Sequence, residues 1–143
     1  MEGQVELNVL TGEIVGAAIE VHRELGGPGL LEEIYESAMV CELQLRGLSV
    51  QRQVAVPVLN KGHNIKKQHY LDLLVDGRVI IEVKAVEKAS KLFESQLLTY
   101  LRLTQLNVGL LINFGETQVR QGVRRVINEL SPKDNLRVSA PPC

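Results

Sequence analysis

The sequence predicts an α/β domain with a mixed sheet, whose elements follow the order ααβββαβα. Three observations support this class. Apolar residues recur at helical spacing in two early segments, and the period then changes to two over three short segments. A later run, residues 108–114, is apolar on both faces and follows a further helical segment, which predicts a buried central strand parallel to a neighbour.

The size and composition match one ordinary domain. The chain has 143 residues, of which 45% are hydrophobic and 23% charged. We expect a single domain over residues 1–143, with a core at about 9–130 and a loose tail over 131–143. The sequence contains no apolar run of membrane-helix length and no signal-peptide pattern at its start. We therefore expect a cytoplasmic protein with no membrane partner. The two cysteines, Cys41 and Cys143, form no disulfide framework, which agrees with a reducing compartment.

Charge is distributed unevenly along the chain. Residues 1–42 contain nine acids and one base, a net charge of −8, whereas residues 43–143 contain eight acids and fifteen bases, a net charge of +7. A basic surface beside an acidic one can guide a phosphate backbone. The alternative is that these are ordinary solvated faces of opposite sign.

Two amphipathic helices are expected first. The first starts near Thr11 and stops at a glycine-rich turn, and the second covers about residues 30–46, with Gly47 as its C-terminal cap. The inward residues of the first helix are predicted to be Ile14, Ala17, Ala18, Val21 and Leu25. Those of the second are predicted to be Leu31, Ile34, Tyr35, Ala38, Cys41 and Leu45.

Three strands come next. The first strand alternates valines with polar or small residues and contains Pro57, which assigns it to an edge or a bulge. The second covers about residues 65–74 and the third about 78–86. Asp76-Gly77 between them is a strong hairpin signal.

The remaining elements are two helices around the apolar strand. A third helix is expected near residues 90–103, and a last helix at about 118–130. The predicted inward residues are Phe93, Leu97, Tyr100 and Leu101 on the third helix, and Val119, Val123, Val126 and Ile127 on the last.

The length of the hairpin loop decides where Asp72 points. A two-residue loop would place Asp72 opposite Ile81, among apolar side chains, and bury an unpaired charge. We therefore expect a three-residue loop of residues 75–77, with Gly77 left-handed and Asp72 opposite Ile80. One face of the hairpin is then apolar: Leu71, Leu73, Val79, Ile81 and Val83.

On the other face, the same register gathers Asp72, Glu82 and Lys84, with the two acids about 7 to 8 Å apart. Two carboxylates at that separation suit a hard cation such as Mg²⁺. A lysine beside them could serve an attacking water or neutralise charge on a phosphoryl oxygen. The alternative is a structural ion pair between Glu82 and Lys84.

Three further polar residues are candidates for the same site. Gln96 and Tyr100 lie one turn apart on the third helix, where the alternative is a core tyrosine with a glutamine at its rim. Glu32 opens the second helix, where it could simply favour the helix dipole. Nucleotide-binding and serine-hydrolase motifs are absent from the sequence, which disfavours those classes.

Several motifs in order resemble one known family. The segment GLLEEIY contains Gly29, Glu32 and Tyr35 at the positions of the GxxExxY signature. The resemblance covers roughly residues 9–130, and GxxExxY proteins are similar to the PD-(D/E)XK nuclease superfamily. Further matching segments are AAIEVHRELG, DLLV, EVKAVEK, QLLTYLR and GLLINFG.

The resemblance implies a fold, a function and residue roles. The fold is a restriction-endonuclease-like αβββαβ core, here with an extra N-terminal helix and a C-terminal helix. Asp72, Glu82 and Glu32 would hold Mg²⁺ or Mn²⁺, and Lys84, Gln96 and Tyr100 would be catalytic. The expected function is hydrolysis of phosphodiester bonds in DNA or RNA, and the alternative is an inactive nuclease-fold module that binds nucleic acid or a partner protein.

Overall fold

The computed structural model describes residues 2–64 and 68–129. Residues 1, 65–67 and 130–143 lie outside this description, and with them the start of the predicted second strand, the end of the predicted last helix, the expected tail and Cys143. In chain order the elements are α1 (Glu2–Glu24), α2 (Glu32–Leu45), β1 (Val50–Val56), β2 (Leu59–Asn60), β3 (His63–Asn64), β4 (His69–Val75), β5 (Val79–Lys84), α3 (Lys91–Thr104), β6 (Val108–Asn113), a 3₁₀ turn (Val119–Gly122) and β7 (Val123–Ile127).

A mixed five-stranded sheet forms the centre of the fold, in the strand order β1-β4-β5-β6-β7. β4 pairs antiparallel with β1 and β5, β6 runs parallel to β5, and β7 pairs antiparallel with β6. A parallel pair needs a long crossover, which α3 supplies as the sequence predicts. The predicted α/β class with a mixed sheet is therefore confirmed.

Two hydrophobic cores lie on opposite faces of this sheet. The α1/α2 core joins both N-terminal helices to the sheet, and the α3 core joins the third helix to the other face, because alternate residues of β5 and β6 point to opposite sides. The fully buried strand residues of the α1/α2 core are Leu73, Val75, Val79, Ile81, Val83 and Ile112. The buried residues of the α3 core are Val56, Leu71, Ile80, Leu97, Tyr100, Leu101 and Leu111.

α1 is longer than the sequence predicts, since it begins at Glu2 instead of near Thr11. Its predicted apolar stripe is confirmed, and Ile14, Ala17 and Ala18 have no exposed surface. None of the helices in the described ranges is long and apolar enough to cross a membrane.

The inward face of α2 differs from the prediction. Tyr35, Met39 and Leu43, spaced four residues apart, are completely buried. The helix has two apolar stripes, and the one that faces the core contains Tyr35, whose ring stacks on Phe114 with the centroids 4.6 Å apart. The predicted inward residues that are exposed instead are Leu31, Ile34, Cys41 and Leu45.

The β4–β5 hairpin has an odd-length loop, as predicted, but the loop comprises Asp76, Gly77 and Arg78. Val75 lies opposite Val79. The predicted positive φ of Gly77 is confirmed at 64°, and Asp76 also has a positive φ. Asp76 belongs to the loop because its main chain and carboxylate both bond the main chain of Ser49, which precedes β1.

This register places Asp72 level with Glu82, two residues from the predicted alignment with Ile80. The main-chain ladder ends at the pair Leu73–Ile81. Asp72 and Glu82 therefore meet directly across the two strands, where the sequence predicted a diagonal pair.

β1 and β4 both change the face that they present at the level of Asp72. Gln53 has a φ of 52° and is skipped in the otherwise continuous pairing of β1 with β4, at the position opposite Asp72. Before this point Val50 contacts the α1/α2 core, and after it Val54 contacts the α3 core. The left-handed backbone of Gln53 thus lies where β1 changes the face that it presents.

Leu71 shows the same change of face in β4. It packs in the α3 core, while Leu73 packs in the α1/α2 core. The prediction that Leu71 shares one apolar face with Leu73 is therefore wrong. The other four residues of that predicted face, Leu73, Val79, Ile81 and Val83, do lie together.

The predicted C-terminal helix is wrong for the residues that the structure describes. Residues 123–127 form β7, which pairs with β6 from Val108–Ile127 to Ile112–Val123. Val123, Val126 and Ile127 have helical spacing, but β6 has an open edge whose main-chain groups need partners, and a strand satisfies them.

Candidate active site

Asp72 and Glu82 form the centre of the candidate site, where β4 separates from β5. One carboxylate oxygen of Asp72, Oδ2, accepts a hydrogen bond from the Val83 main-chain N–H at 2.8 Å. The main-chain nitrogen of Asp72 lies 3.4 Å from Glu82 Oε1. The main-chain pairing of β4 with β5 ends at Leu73 and Ile81, next to these two acids. Beyond that point, the Asp72 side chain accepts the hydrogen bond from β5 and keeps the two strands together.

Glu82 is only 5% exposed. Burial, followed by the charge of Asp72, raises the pKa of the Glu82 carboxyl from 4.5 to about 9, while Lys84 acts in the opposite direction. Without a cation at the site, Glu82 therefore carries a proton at neutral pH, since a buried carboxyl beside a second, half-buried carboxylate ionises only at a high cost.

Lys84 follows Glu82 by two residues and points to the same face of β5. Its ammonium nitrogen lies 4.6 Å from the centroid of the Phe93 ring on α3, a cation–π contact. Its positive charge lowers the pKa of both Glu82 and Glu32, which places the ammonium within electrostatic range of both acids.

Glu32 lies in the first turn of α2, where burial raises the pKa of its carboxyl, with further contributions from the charges of Asp72 and Glu36. Glu32 is an exposed residue of α2, and its relation to Asp72 and Lys84 is the effect of their charges on the pKa of its carboxyl.

The turn before Glu32 is fixed by Tyr35. The tyrosine hydroxyl donates a hydrogen bond to the Gly27 carbonyl at 2.6 Å and accepts one from the Leu30 N–H at 3.2 Å. Gly29, between them, has a φ of 110°, a conformation that strongly favours glycine. Gly29 and Tyr35 of the GLLEEIY segment therefore fix the chain on both sides of Glu32.

Gln96 and Tyr100 come from α3, on the side of the sheet that Lys84 faces. Gln96 Nε2 donates to the Tyr100 hydroxyl at 3.2 Å. Burial raises the pKa of Tyr100, the Gln96 hydrogen bond lowers it, and the charges of Glu82 and Asp72 raise it. The ring of Tyr100 packs in the α3 core, and its hydroxyl accepts the hydrogen bond from Gln96.

Two buried polar residues of the surroundings were not predicted. Glu36, 7% exposed, accepts hydrogen bonds at Oε1 from Arg52 and Gln53. Asn113, completely buried, accepts at Oδ1 from the N–H groups of Val86 and Gly115. Glu36 could have been suspected from its position one helical turn after Glu32, whereas the sequence contains no comparable signal for Asn113.

The donor chemistry suits a hard cation. Within residues 2–64 and 68–129, no three His, Cys, Asp or Glu side chains are grouped as a ready-made metal site. The contacting pair is Asp72 and Glu82, and Glu32 joins it through charge. Carboxylate oxygens are the ligands that Mg²⁺ and Mn²⁺ accept, usually together with several waters. The residues present therefore fit a divalent cation held by two carboxylates.

The fold and the site together define a class. A mixed sheet between two helical layers, with two acids and a lysine where the central hairpin opens, is a restriction-endonuclease-like α/β domain. A family model described as the PD-(D/E)XK nuclease superfamily matches residues 8–126. The chain belongs to this superfamily. No curated protein and no solved structure matches the chain at a significant level.

Proposed function

We propose that this protein is a nuclease that uses Mg²⁺ or Mn²⁺ to hydrolyse phosphodiester bonds of DNA or RNA. The observation that carries the proposal is the contact between Asp72 and the buried Glu82, with Lys84 on the same strand. Two acids forced together inside a fold cost stability, and such arrangements concentrate at functional sites. Membership of the nuclease superfamily supports the same function.

Asp72 and Glu82 would hold the cation, with Glu32 as an additional acid from α2. When bound, a divalent cation neutralises phosphate charge and activates water for attack. Binding would displace the Glu82 proton, because a cation replaces the proton as the counter-charge of the pair.

The protein's own groups would then position the reaction. The Lys84 ammonium would stabilise negative charge that develops on the phosphate or would hold the attacking water. The hydrogen bond from Gln96 would orient the Tyr100 hydroxyl toward the acids. The basic remainder of the chain, residues 43–143 with a net charge of +7, would attract the phosphate backbone.

Two finer assignments complete the proposal. Membership of the GxxExxY group rests on Gly29, Glu32 and Tyr35, and the cytoplasm is the compartment that the cysteine usage favours.

The decisive experiment compares wild type with Lys84→Met on a panel of single- and double-stranded DNA and RNA, with Mg²⁺, with Mn²⁺ and with EDTA. Methionine keeps much of the apolar length of lysine and removes the charge. We expect metal-dependent cleavage by wild type and a loss of about a hundredfold or more in rate for the variant. Lys61→Met, at an exposed turn, is the matched control and should keep its rate.

A second candidate function is an inactive module that binds nucleic acid or a partner protein. The contact of the Lys84 ammonium with the Phe93 ring favours it, since this contact gives the lysine a structural role independent of chemistry. Binding of nucleic acid by wild type and Lys84→Met with equal affinity, and no cleavage by either, would select this function.

A further inference from the structure

The backbone of Gln53 is in a conformation that glutamine rarely adopts. The other described non-glycine residues with positive φ, Lys61, Asp76 and Gln105, lie in turns or at a helix end, whereas Gln53 lies inside β1. A non-glycine residue persists in the left-handed region inside a strand only when its surroundings hold it there.

Glu36 supplies that hold from α2. Its Oε1 atom accepts hydrogen bonds from Gln53 Nε2 at 3.0 Å and from Arg52 Nε at 3.1 Å. Arg52 also donates to the Ser37 hydroxyl at 2.6 Å. Because the Glu36 side chain is only 9% exposed, these donors are bonded to a carboxylate largely withdrawn from water. Two successive residues of β1 are thereby fixed to α2.

The fixed segment lies directly opposite Asp72. Gln53 is skipped in the pairing of β1 with β4, so the ladder on that side of Asp72 is interrupted. A regular ladder would hold the Asp72 side chain perpendicular to the sheet. Here the register sets Asp72 opposite Glu82, and the Asp72 side chain reaches along β5 to the Val83 N–H, at 2.8 Å.

We propose that Glu36 and Gln53 are positioning residues for Asp72: the Glu36 carboxylate holds Gln53 left-handed, and this break in β1 orients the Asp72 carboxylate toward Val83 and Glu82. The effect on cleavage rests on the proposed nuclease function. The effect on the geometry of Asp72 does not, so the two can be tested separately.

The first test changes only what the backbone at residue 53 tolerates. Gln53→Val disfavours the left-handed conformation, and Gln53→Gly permits it without a side chain. Gln51→Val, at an exposed β1 position in regular register with Leu74, is the matched control for a β-branched substitution. Gln53→Ala replaces the valine variant if the latter does not fold.

The structural measurement is amide hydrogen exchange of Val83 in the metal-free protein. Loss of the Asp72 acceptor should accelerate Val83 exchange about tenfold or more in Gln53→Val relative to Gln51→Val, and Gln53→Gly should restore most of the protection. Equal Val83 exchange in all three variants would overturn the proposal, whether or not the protein is a nuclease.

The kinetic measurement applies if wild type cleaves nucleic acid. We expect Gln53→Val to lower kcat about tenfold or more with KM changed little, and Gln53→Gly to recover much of kcat, because a misplaced ligand affects the chemical step more than substrate binding. Wild type without cleavage, but with the expected Val83 exchange pattern, would remove the nuclease function and keep the positioning role.

The part played by Glu36 is isolated by a double-mutant cycle. Glu36→Ala should accelerate Val83 exchange in wild type, and should do so much less in the Gln53→Gly background, where the left-handed backbone needs no support. Glu36→Gln keeps an acceptor oxygen and should rescue most of the protection. An equal effect of Glu36→Ala in both backgrounds would show that Glu36 does not act through Gln53.

Discussion

Replacing Glu82 with glutamine should remove most of the pH dependence of stability of the metal-free protein between about pH 4.5 and 9. The pKa of Glu82 is raised from 4.5 to about 9 by burial and by the charge of Asp72. The folded state therefore holds a proton that the unfolded state has released throughout this window. Because the native state binds more protons, the free energy of unfolding falls as pH rises.

The size of the effect follows from the shift. Each pH unit between the two pKa values lowers the free energy of unfolding by about 1.4 kcal/mol. From 4.5, the unperturbed value, to neutrality the loss amounts to about 3 kcal/mol. Glu82 is 5% exposed, so solvent screens this effect little. A loss of this size is a large part of the stability of an ordinary domain, about 5–15 kcal/mol.

The measurement is urea unfolding in EDTA at several pH values across this window, for wild type and Glu82→Gln. We expect the two stability curves to converge near the acidic end, and the glutamine variant to be the more stable protein at alkaline pH. Glu24→Gln, at an exposed position of α1, serves as the control and should follow wild type.

Parallel pH curves for wild type and Glu82→Gln would refute the reasoning. They would mean that Glu82 is ionised in the folded protein, so that the acid pair is relieved by solvent or by movement of Asp72.

Three further predictions can be checked by thermal unfolding. Mg²⁺ or Mn²⁺ should stabilise wild type by about 2.7 kcal/mol at a hundredfold excess over Kd, and at one fixed metal concentration the gain should be larger at about pH 8 than at about pH 6, where the metal must displace the Glu82 proton. Asp72→Asn should lose this gain, and unchanged melting of wild type up to millimolar metal would contradict the metal site. Tyr35→Phe removes two hydrogen bonds from the turn before α2 and should lower the free energy of unfolding by about 1–3 kcal/mol, while Tyr70→Phe, at an exposed ring, should lower it much less. Equal losses would show that the turn does not depend on the Tyr35 hydroxyl. Gly115→Ala should be severely destabilising because its Cβ would collide with the main-chain oxygen of Val86, whereas Gly12→Ala, with no atom within 4 Å, should stabilise α1 by about 0.5–1 kcal/mol. Similar melting temperatures would show that the chain around Gly115 can move aside.

The sequence was most informative where local chemistry decides the structure. Asp76-Gly77 correctly predicted the hairpin, and the cost of burying the Asp72 charge correctly predicted an odd-length loop. Any odd-length loop places Asp72 and Glu82 on the same face of the hairpin. Parity does not give the exact alignment, since three-residue loops at 75–77 and at 76–78 are both odd, and the structure has the second.

The errors share a cause, which is that a local pattern permitted two structures and a distant contact chose between them. Val123, Val126 and Ile127 suit one face of a helix, yet the open edge of β6 made them a strand. The left-handed backbone of Gln53 depends on Glu36, a residue 17 positions earlier. Such a break cannot be recognised from β1 alone, and neither can the change of face at Leu71 that accompanies it.

The contacts of α1 with the far end of the sheet have a consequence for how the chain folds. His22 bonds the carbonyl of Glu116, 94 residues away, and the Asn8 side chain accepts a hydrogen bond from Arg125, 117 residues away. During synthesis, α1 is therefore made long before the segment that covers part of it. Closing such a distant contact is slow relative to forming a helix, so the part of α1 that the C-terminal segment contacts stays uncovered until most of the chain has emerged. In a growing chain, this part of α1 is a surface that a molecular chaperone would meet.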